Sequence, residues 1–561
     1  MVNKRKRDLS VLFGILIAII VINFISSFYF TRFDFTADKR YTLSNLSHKI
    51  ASDLNGDLQI TVYLDGDLPA GFRRLKNETN DLLLDLASYS HGKIHVDFVN
   101  PAKGDEKQQQ ENFEKLAAAG IEPTNLSVKT EEGLTQKIIF PEALITYHDQ
   151  QIPVRLLQNR MSASPDEVLN NSIQNLEYAF VSAIEKVVKN GKPLIGFVDG
   201  HRELNNLQLS DAMTSLQDGF DVGRVDLKAI SLDGLRKLKL LVIAKPDSSF
   251  SEADKFKIDY FVMNGGRILW AIDNVNAELD SLQGHGGQQL AFPKKLNLDD
   301  ILFNYGIRIN YNLIADMNCA QIPLKVGNVG GQSQMQMVPW LFYPIFIPTS
   351  QHPIVKNLDG IRSEFASTID TIGVKGIKKQ VILASSPYSR AMIAPGMISL
   401  DMVNKQPDPR QFKNVPLPVA VLSEGVFPSD FKNRQQPEGM SEQVQIPEKS
   451  IPTKMVFISD GDVLKSQVSS KDRSPFPLGY DRYTQQQYGN RSLLLNIVDY
   501  LTDDSGIIEL RNKEVKLRLL DKARVRDEKL RWQLINLLVP LSLLVVAGLI
   551  QAYLRKRKYA A

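Results

Sequence analysis

Cysteine is almost absent from this chain of 561 residues, in which Cys319 is the only one. No disulfide can therefore form within the chain, and no cage of thiolates can hold a metal. The folded part must be stabilised by hydrophobic cores, and with 43% apolar residues the chain is long enough for two or more domains. We expect Cys319 to be a small buried apolar residue rather than a reactive thiol.

Signatures of catalysis and of nucleotide binding are missing as well. Neither Gly330-Gly331 nor Gly284-His285-Gly286-Gly287 is followed by the G-K-[ST] of a phosphate loop, and no G-x-S-x-G or H-x-x-E-H motif occurs. Lysine and arginine number 67 against 63 acidic residues, without the basic face that nucleic acid requires. We predict no enzyme activity, no catalytic residue, no cofactor, no metal and no nucleic-acid partner; any energy that the protein uses comes from another subunit.

Long hydrophobic runs occur only at the two ends of the chain. Val11–Phe30 and Trp532–Leu554 contain no charged residue, and about 20 apolar residues suffice for a helix to cross a bilayer. A cleaved signal peptide is the alternative for the first run, but that run exceeds the ~7–15 residues of a signal core and has no convincing cleavage site. We predict two membrane anchors, the second with Pro540 inside it, where a neighbouring helix can satisfy the freed carbonyl.

Basic residues flank both runs on their outer sides, at Lys4–Arg7 and Arg555–Lys558. Because positive residues stay in the cytoplasm, both termini are expected there, and the roughly 500 residues between the anchors are expected on the far side. Five basic residues between Lys522 and Arg531 favour the opposite orientation, since they precede the second run. The first span usually decides, and on that ground we favour the exported arrangement.

Residues 32–160 predict a small α/β domain. Helices are expected at Asn45–Leu54, Phe72–Ser90 and Glu106–Ala119, between strands that alternate apolar and polar residues. The order β-α-β-α-β-β is that of a thioredoxin-type unit, but the C-x-x-C pair of redox proteins is missing, so the fold would serve another purpose. We place the strands at Leu58–Leu64, His95–Val99, Ser127–Thr130, Gln136–Phe140, Ala143–His148 and Gln151–Leu157.

Ser164–Glu167 is a strong helix start, with a serine cap, a proline in the first turn and a glutamate three residues after the serine. The helix that it begins is predicted to link the small domain to the next one. From Leu194 onward strands alternate with helices, which predicts a doubly wound parallel sheet. Val403–Pro418 and Asn433–Thr453 are rich in proline, glutamine and lysine and are predicted to be exposed loops.

Glu514–Arg531 is predicted to be a charged helix that runs as a rigid stem into the second anchor, with a flexible joint as the alternative. The fold class is therefore α/β, with one transmembrane helix at each end. The predicted order is a basic cytoplasmic tip with the first transmembrane helix at 1–31, the small domain at 32–160, the linking helix at 161–190, the doubly wound domain with loop insertions at 191–510, the stem at 511–531, the second transmembrane helix at 532–554 and a basic cytoplasmic tail at 555–561.

Open α/β sheets bind ligands at the carboxyl ends of their strands, so polar residues that follow two predicted strands are candidates for a ligand or partner crevice. The catalytic alternative uses His201 as a general base oriented by Glu203 or Asp199, but no nucleophile accompanies it. A carboxylate metal site lacks a supporting spacing, and Asp-Gly after a strand is most often a turn. The candidates are Asp199, His201, Arg202 and Glu203 after the first strand of the large domain, and Asp460 and Asp462 after a later one.

Ser474–Tyr483 is an aromatic stretch stiffened by two prolines. Rigid aromatic side chains lose little entropy on binding, so the stretch can be a partner-contact loop. It can equally plug the end of its own core, and the sequence leaves both alternatives open. The residues for a partner contact are Phe476, Tyr480, Arg482 and Tyr483.

Motifs spread along the chain resemble one family. They are Tyr41–Ser44 after the first apolar run, the strand and GHRE turn at Phe197–Glu203, the GYDRY…YGNRSLLLNIVDYL run at Gly479–Leu501, and the charged stem before a final span with a central proline. Together they are similar to the gliding-motility-associated ABC transporter auxiliary protein of Bacteroidetes, the GldG type. The resemblance covers nearly the full length; each motif is weak by itself, and their order and spacing carry the match.

The resemblance implies a bacterial inner-membrane complex with a multi-span permease and a cytoplasmic ATPase, tied to gliding motility and secretion. It also implies that the large domain is similar to an intraflagellar-transport protein and to class I glutamine amidotransferases, without the amidotransferase nucleophile. The family is described as substrate-binding, but it supplies no ligand residues that can be transferred to this sequence.

These observations leave three hypotheses. The first is a non-enzymatic subunit of an ABC transporter complex that faces the periplasm, docks on the permease through its spans and stem, contacts membrane lipid, and can be oligomeric within the complex. The second is a membrane-tethered receptor for a solute or polymer in the α/β crevice, which a double anchor disfavours because it restricts delivery. The third is a hydrolase or amidase in that crevice, which lacks a nucleophile.

Overall fold

The computed structural model describes residues 2–28, 42–130, 133–158, 164–189, 191–284, 286–329, 332–404, 407–412, 415–432, 434–438, 440, 444–512 and 522–559. Its contacts divide the chain into two units, one formed by Tyr41–Lys513 and the other by Met1–Arg40 with Glu514–Ala561. The protein is a mixed α/β protein. The first helix, α1, spans Val2–Phe28 in the terminal unit.

The small domain is built on a four-stranded sheet. Its elements are α2 (Asn45–Ser52), β1 (Leu58–Val62), α3 (Ala70–Tyr89), β2 (Ile94–Phe98), α4 (Glu106–Ala118), β3 (Thr124–Thr130), β4 (Gly133–Ile139), β5 (Glu142–Tyr147) and β6 (Gln150–Arg155). The sheet order is β2-β1-β5-β6, with β1 and β2 parallel and the other pairs antiparallel. β3 and β4 form a separate hairpin. The predicted helices and strands of this domain are confirmed to within a few residues.

Helix α5, Pro165–Val188, follows the small sheet. The Ser164 side chain accepts the backbone N–H of Glu167, and the Glu167 carboxylate accepts the backbone N–H of Ser164, so the predicted capping box is present. One stripe of the helix is buried in the core of the small domain. That stripe contains Leu176, Phe180, Val181, Ile184 and Val187.

A larger sheet begins after α5. Its first elements alternate between strand and helix, as predicted: β7 (Leu194–Asp199), α6 (Ser210–Leu216), β8 (Asp221–Asp226), α7 (Leu232–Lys237), β9 (Leu238–Ala244), α8 (Glu252–Met263) and β10 (Arg267–Ala271). The four strands are parallel, in the order β10-β9-β7-β8. The winding reverses between β7 and β9, and in open α/β sheets such a switch point is where ligands bind.

The next part of the chain is rich in short strands, which the sequence analysis did not predict. The elements are β11 (Val275–Asn276), α9 (Leu279–Gly284), β12 (Gln288–Pro293), α10 (Asp299–Asn304), β13 (Ile307–Ile309), β14 (Asn312–Asp316), β15 (Cys319–Val329), β16 (Gln332–Phe346), β17 (Ile361–Arg362), β18 (Ile369–Thr371), β19 (Ile377–Ala384), β20 (Ser389–Ile393) and β21 (Gly396–Ser399). Most of them pair in small sheets outside the large one. The paired strands β15 and β16 contribute Ile322, Trp340 and Phe342 to a core of this insertion.

Later strands complete the large sheet. After 3-10 turns at Leu400–Asn404 and Pro409–Gln411 come β22 (Pro418–Gly425), β23 (Thr453–Ile458), a 3-10 turn at Asp462–Leu464, β24 (Tyr480–Asp481), β25 (Gln486–Gln487), α11 (Asn490–Thr502) and a 3-10 turn at Ile507–Asn512. The full order is β19-β22-β23-β10-β9-β7-β8. β23 is parallel to β10, whereas β22 and β19 form an antiparallel edge. The predicted parallel sheet is therefore right for five strands, and the antiparallel edge was not predicted.

Both faces of the large sheet are buried. Leu240 and Val242 of β9 belong to one core with α6 and α11, while Leu241 and Ile243 belong to another core with α7 and α8. Because successive side chains of a strand point to opposite faces, helices must cover both sides of this sheet. This arrangement confirms the predicted double winding. In the second predicted loop, Met440, Val444 and Ile446 pack against one of these cores, so that loop is only partly exposed.

The last helix, α12, spans Lys522–Tyr559 in the terminal unit. Among the described residues, Val525–Arg557 is the one helical segment long and apolar enough to cross a membrane, and none of its apolar window is buried in the protein. In α1 the apolar segment is shorter, Ser10–Asn23, so the predicted first span is not shown. Phe30 lies outside the described residues.

The predicted stem and second anchor fall in this last helix. Helix α12 continues from the charged residues at Lys522 through Trp532 into the apolar segment, and it contains Pro540. This continuity agrees with a stem that enters the anchor directly from Lys522 onward. The part of the predicted stem at 514–521 lies outside the described residues.

Candidate functional site

The polar residues at the end of β7 form a cluster around His201, which is buried. Its Nδ1 lies 3.2 Å from Glu203 Oε1, and its Nε2 lies 3.2 Å from Asp254 Oδ2 at the start of α8. The backbone N–H of His201 donates to Glu203 Oε2 at 2.7 Å. The imidazole also stacks on the ring of Phe250, with 3.8 Å between centroids. Both ring nitrogens are thus engaged by carboxylates.

Burial alone lowers the pKa of His201, but the bonds to Asp254 and Glu203 outweigh it and raise the pKa to about 9. The imidazole is therefore charged at neutral pH. A general base must be neutral and must reach its substrate with a free nitrogen, which this ring does not offer. Asp254 also closes the capping box of α8 with Ser251. His201 consequently joins the turn after β7 to the start of α8.

The neighbouring candidates Asp199 and Arg202 lie outside this cluster. Asp199 forms an ion pair with Arg224 at 3.0 Å, which lowers the pKa of Asp199. Arg202 is exposed and has a φ of +57°. The N–H of Leu204 donates to the carbonyl of Ala244 at the end of β9 at 3.2 Å. The turn after β7 is therefore bonded across the switch point of the sheet.

A second cluster lies where β9, β10 and β23 end, and it is centred on Lys245. The buried ammonium of Lys245 lies 2.6 Å from Asp462, 2.7 Å from Glu278 and 3.3 Å from Asp273. Lys465 contacts the other carboxylate oxygen of Asp462 at 2.7 Å. Buried ion pairs stabilise a fold only when each buried charge has a partner of opposite sign. Here the acidic side chains surround two ammonium groups.

Asp460 lies in the same cluster and accepts three hydrogen bonds. Its donors are the Ser363 hydroxyl, the backbone N–H of Glu364 at 2.8 Å and the backbone N–H of Asp462 at 2.7 Å. Burial, together with the charges of Asp462 and Asp273, raises the pKa of Asp460 well above its usual value. Burial also acts to raise the pKa of Asp462, but Lys245 and Lys465 prevail and hold it below its usual value. The pKa values of the two predicted aspartates are therefore shifted in opposite directions.

Three carboxylates of this cluster are close enough to hold a cation. One oxygen from each of Asp273, Asp460 and Asp462 lies within 4.8 Å of the others. The ammonium of Lys245 already contacts Asp273 and Asp462, and Asp460 already accepts three hydrogen bonds from the chain. We assign no metal to this cluster.

Several residues of the two clusters escaped the sequence analysis. Lys245 directly follows β9 and Asp273 lies two residues after the end of β10, so the rule that selected Asp199 and Asp460 could have found them. Asp254 and Glu278 had no such signal, because they come from a helix start and a loop that only the tertiary fold brings to the strand ends.

The aromatic loop at Ser474–Tyr483 has a buried part and an exposed part, and the partner contact stays a prediction. Leu478 is fully buried in a core of the large sheet, so this part of the loop plugs the domain. Phe476 and Tyr480 stack with 5.5 Å between centroids. Tyr483 is 43% exposed, and the guanidinium of Arg482 lies 4.7 Å from its ring. The outer part of the loop is therefore available for a contact.

Cys319 begins β15 and is a half-buried free thiol. Burial, and to a lesser extent the charge of Asp316, raises the pKa of the Cys319 thiol to about 11. Since the thiolate is the reactive form, this environment suits a packing role.

Comparison with known proteins places the chain among the auxiliary components of ABC-type transport systems. Residues 192–497 match the family model of an ABC-type uncharacterized transport system, which covers more than half of the chain. The chain belongs to this family. A domain of unknown function matches residues 37–146. The predicted ABC transporter auxiliary role is confirmed at the level of the family, whereas the GldG type and gliding motility stay predictions.

Individual relatives are distant. An uncharacterized protein of Borreliella burgdorferi is 22% identical over 580 residues, which cover 100% of both chains. Among solved structures, the N-terminal domain of mmIFT52 is 14% identical with a TM-score of 0.32, over 55% of this chain and 98% of that one. A putative ThuA-like protein of Bacteroides uniformis is 11% identical with a TM-score of 0.27, over 56% and 93%.

Proposed function

We propose that the chain is a non-enzymatic subunit of an ABC transporter complex of the GldG type. It holds its α/β domains in the periplasm, contacts a multi-span permease, and depends on a separate cytoplasmic ATPase. The observation that carries the proposal is the membership of residues 192–497 in a family of ABC-type transport systems. Gliding motility or secretion is the process that we propose for the complex.

The geometry of the strand ends supports a role without catalysis. The only histidine among the predicted site residues, His201, is held between Glu203 and Asp254. Lys245 is held among carboxylates, and the turn after β7 is bonded to the end of β9. A receptor needs an open crevice with polar groups directed at its ligand. These bonds within the chain therefore favour a subunit over the tethered receptor.

The membrane arrangement and the finer fold assignment are part of the proposal. Helix α12 supports one membrane anchor. We further propose that the membrane is the bacterial inner membrane, that both termini are cytoplasmic, and that α1 is a second anchor. The sheet order β2-β1-β5-β6, followed by α5, supports a thioredoxin-type domain at 32–160. The double winding of the large sheet supports a class I glutamine amidotransferase-like, intraflagellar-transport-like domain at 191–510.

Purification of the tagged full chain from its native membranes in a mild detergent tests the function. We expect a polytopic permease and an ATPase to co-purify in fixed proportion to the chain. An unrelated tagged protein with a single membrane span, purified in parallel, controls for non-specific retention. A chain that is recovered without these partners contradicts the proposal.

A further inference from the structure

The two ends of the compact unit Tyr41–Lys513 dock on one helix. At the beginning of the unit, the backbone N–H of Ser44 and the hydroxyl of Ser47 both donate to Glu177 Oε1 of α5 at 2.7 Å. At the end, the guanidinium of Arg511 lies 5.3 Å from the ring of Tyr178, the next residue of α5. The segments that lead towards α1 and α12 therefore meet at adjacent residues.

The same two segments share a hydrophobic core. Leu43 at the beginning of the unit is buried in the core of the small domain, and so are Ile507 and Ile508 near its end. These are the parts of the unit that lie nearest in sequence to the terminal helices. Thirteen residues join α1 to Thr42 and nine join Asn512 to α12, and fully extended chains of these lengths span about 50 Å and about 35 Å. If the terminal helices are in the bilayer, the tether alone keeps both segments within reach of a juxtamembrane partner.

A groove lies between the two segments. It encloses about 290 Å³ between α2, the last turns of α5 and the loop at Ser505. Its floor is apolar, and three of the side chains there are only half-buried, so they are incompletely covered by the protein itself. The half-buried floor residues are Leu46, Ile50 and Val188.

The rim of the groove carries two lysines and two acids, namely Lys49, Lys189, Asp53 and Glu185. Their formal charges cancel, and Lys189 pairs with Glu185 at 2.9 Å. An anionic lipid surface attracts clusters of basic residues, and this neutral rim is not such a cluster. The volume is at the lower end of the roughly 300–1,000 Å³ of small-molecule sites, and the apolar floor suits aliphatic side chains better than a polar solute.

We propose that this groove, between α2, the end of α5 and Ser505, binds an amphipathic juxtamembrane helix of the permease. Such a helix places apolar side chains on the floor and charges of both signs against the rim, as in other helix-in-groove contacts. The inference rests on the proposed function, because its occupant is a subunit of that complex. It names the surface by which the chain and the permease meet.

Substitution of the floor tests the inference. Ile50→Glu places a charge among apolar side chains, and we expect at least a tenfold loss of co-purified permease. Leu84→Glu is the matched control, because Leu84 is a 54% exposed leucine on α3 of the same domain and lies outside the groove. The control is expected to retain the permease at the level of the unsubstituted chain.

A second variant guards against a folding defect in the first. The double substitution Lys49→Glu with Asp53→Lys exchanges two exposed charges of the rim and leaves the floor intact. We expect it to melt at the temperature of the unsubstituted chain and to lose the permease several-fold. Retention of the permease by both groove variants overturns the inference and leaves the proposed function standing. An unsubstituted chain that purifies without the permease instead contradicts the function itself.

Photocrosslinking in native membranes identifies the occupant directly. Benzoylphenylalanine at Lys49 or Ser505 is expected to give an adduct that contains the permease. The same probe at Tyr388, which is 61% exposed in the β-rich insertion, is expected to give none. Adducts with lipid alone, with a second copy of the chain, or with equal yield at all three positions overturn the inference.

Discussion

His201 carries a positive charge because two carboxylates share its imidazole. Its pKa of about 9 in the folded chain exceeds the value of 6.5 for an unperturbed histidine, so the folded state binds the proton more tightly. The resulting stabilisation is fully present below pH 6.5 and is lost as the pH rises through 9. One pKa unit corresponds to about 1.4 kcal/mol, which limits the effect to about 3 kcal/mol.

We therefore expect His201→Gln to lower the free energy of unfolding by up to about 3 kcal/mol at pH 6 and by much less near pH 10. Chemical denaturation of the solubilised full chain at the two pH values measures the difference. His95→Gln, at a histidine whose side chain is 56% exposed in β2, is the control, and as a surface substitution it should change the free energy of unfolding little at either pH. An equal loss at both pH values would contradict the charged state of His201.

Lys245 supplies the positive charge that its three carboxylate neighbours need. Removing one partner of a buried ion pair typically costs about 3–5 kcal/mol, so Lys245→Ala should lower the melting temperature strongly. Calcium binds clusters of carboxylate oxygens, and with the ammonium gone, Asp273, Glu278 and Asp462 are left around the place that it occupied. We expect millimolar Ca²⁺ to restore part of the loss.

The buried lysine Lys255 provides the matched control for this prediction. Its ammonium pairs with Glu252 and Asp300, outside the strand-end cluster. Lys255→Ala should also destabilise the chain, but Ca²⁺ should not raise its melting temperature. If Ca²⁺ raised the melting temperature of both variants equally, or of neither, the result would contradict the described cluster.

At the scale of elements, the capping box at the start of α5 is the feature with the clearest energetic consequence. Ser164→Ala removes the side chain that accepts the N–H of Glu167, and the loss of such a cap costs about 1 kcal/mol. Urea denaturation should detect this change. Ser88→Ala in α3 is the control, because the hydroxyl of Ser88 donates to the carbonyl of Asp85 within its own helix. A similar loss of unfolding free energy in both variants would contradict a stabilising role of the cap.

Elements with local signals were predictable from the sequence. The predicted helix Glu106–Ala119 differs from α4 by one residue, and the predicted strand Ala143–His148 differs from β5 by one residue at each end, since helix periodicity and a short apolar run mark them. The β-rich insertion was missed because its pairings are distant in sequence. In β12, for example, Gln288 pairs with Ser399 of β21, and no local pattern encodes that contact.

The candidate site shows the same division. Asp199 and Asp460 were correctly expected at strand ends, because the end of a strand can be read from the chain. The bonding partners of the strand-end residues could not be predicted from the sequence. The ammonium that binds Asp462, for example, belongs to Lys245, which is 217 residues away in sequence. Which polar groups are already satisfied is therefore a property of the fold alone.

At the scale of the whole molecule, the basic residues allow two orientations across the membrane, and protease accessibility distinguishes them. In sealed, right-side-out spheroplasts, we expect added protease to cleave within Tyr41–Lys513. A cytoplasmic protein followed in the same sample controls for leakage. Inside-out vesicles should protect the unit, and the reverse pattern would place it on the cytoplasmic side.

The shielded thiol of Cys319 has a practical consequence. With a pKa of about 11, only about one molecule in ten thousand bears the reactive thiolate at pH 7, against about 3% for an ordinary thiol. Maleimide dyes should therefore modify an added surface cysteine several hundred-fold faster than the native one. Fluorophores could thus be installed at chosen positions of the otherwise natural chain, and energy transfer between them could be followed while the transporter turns over.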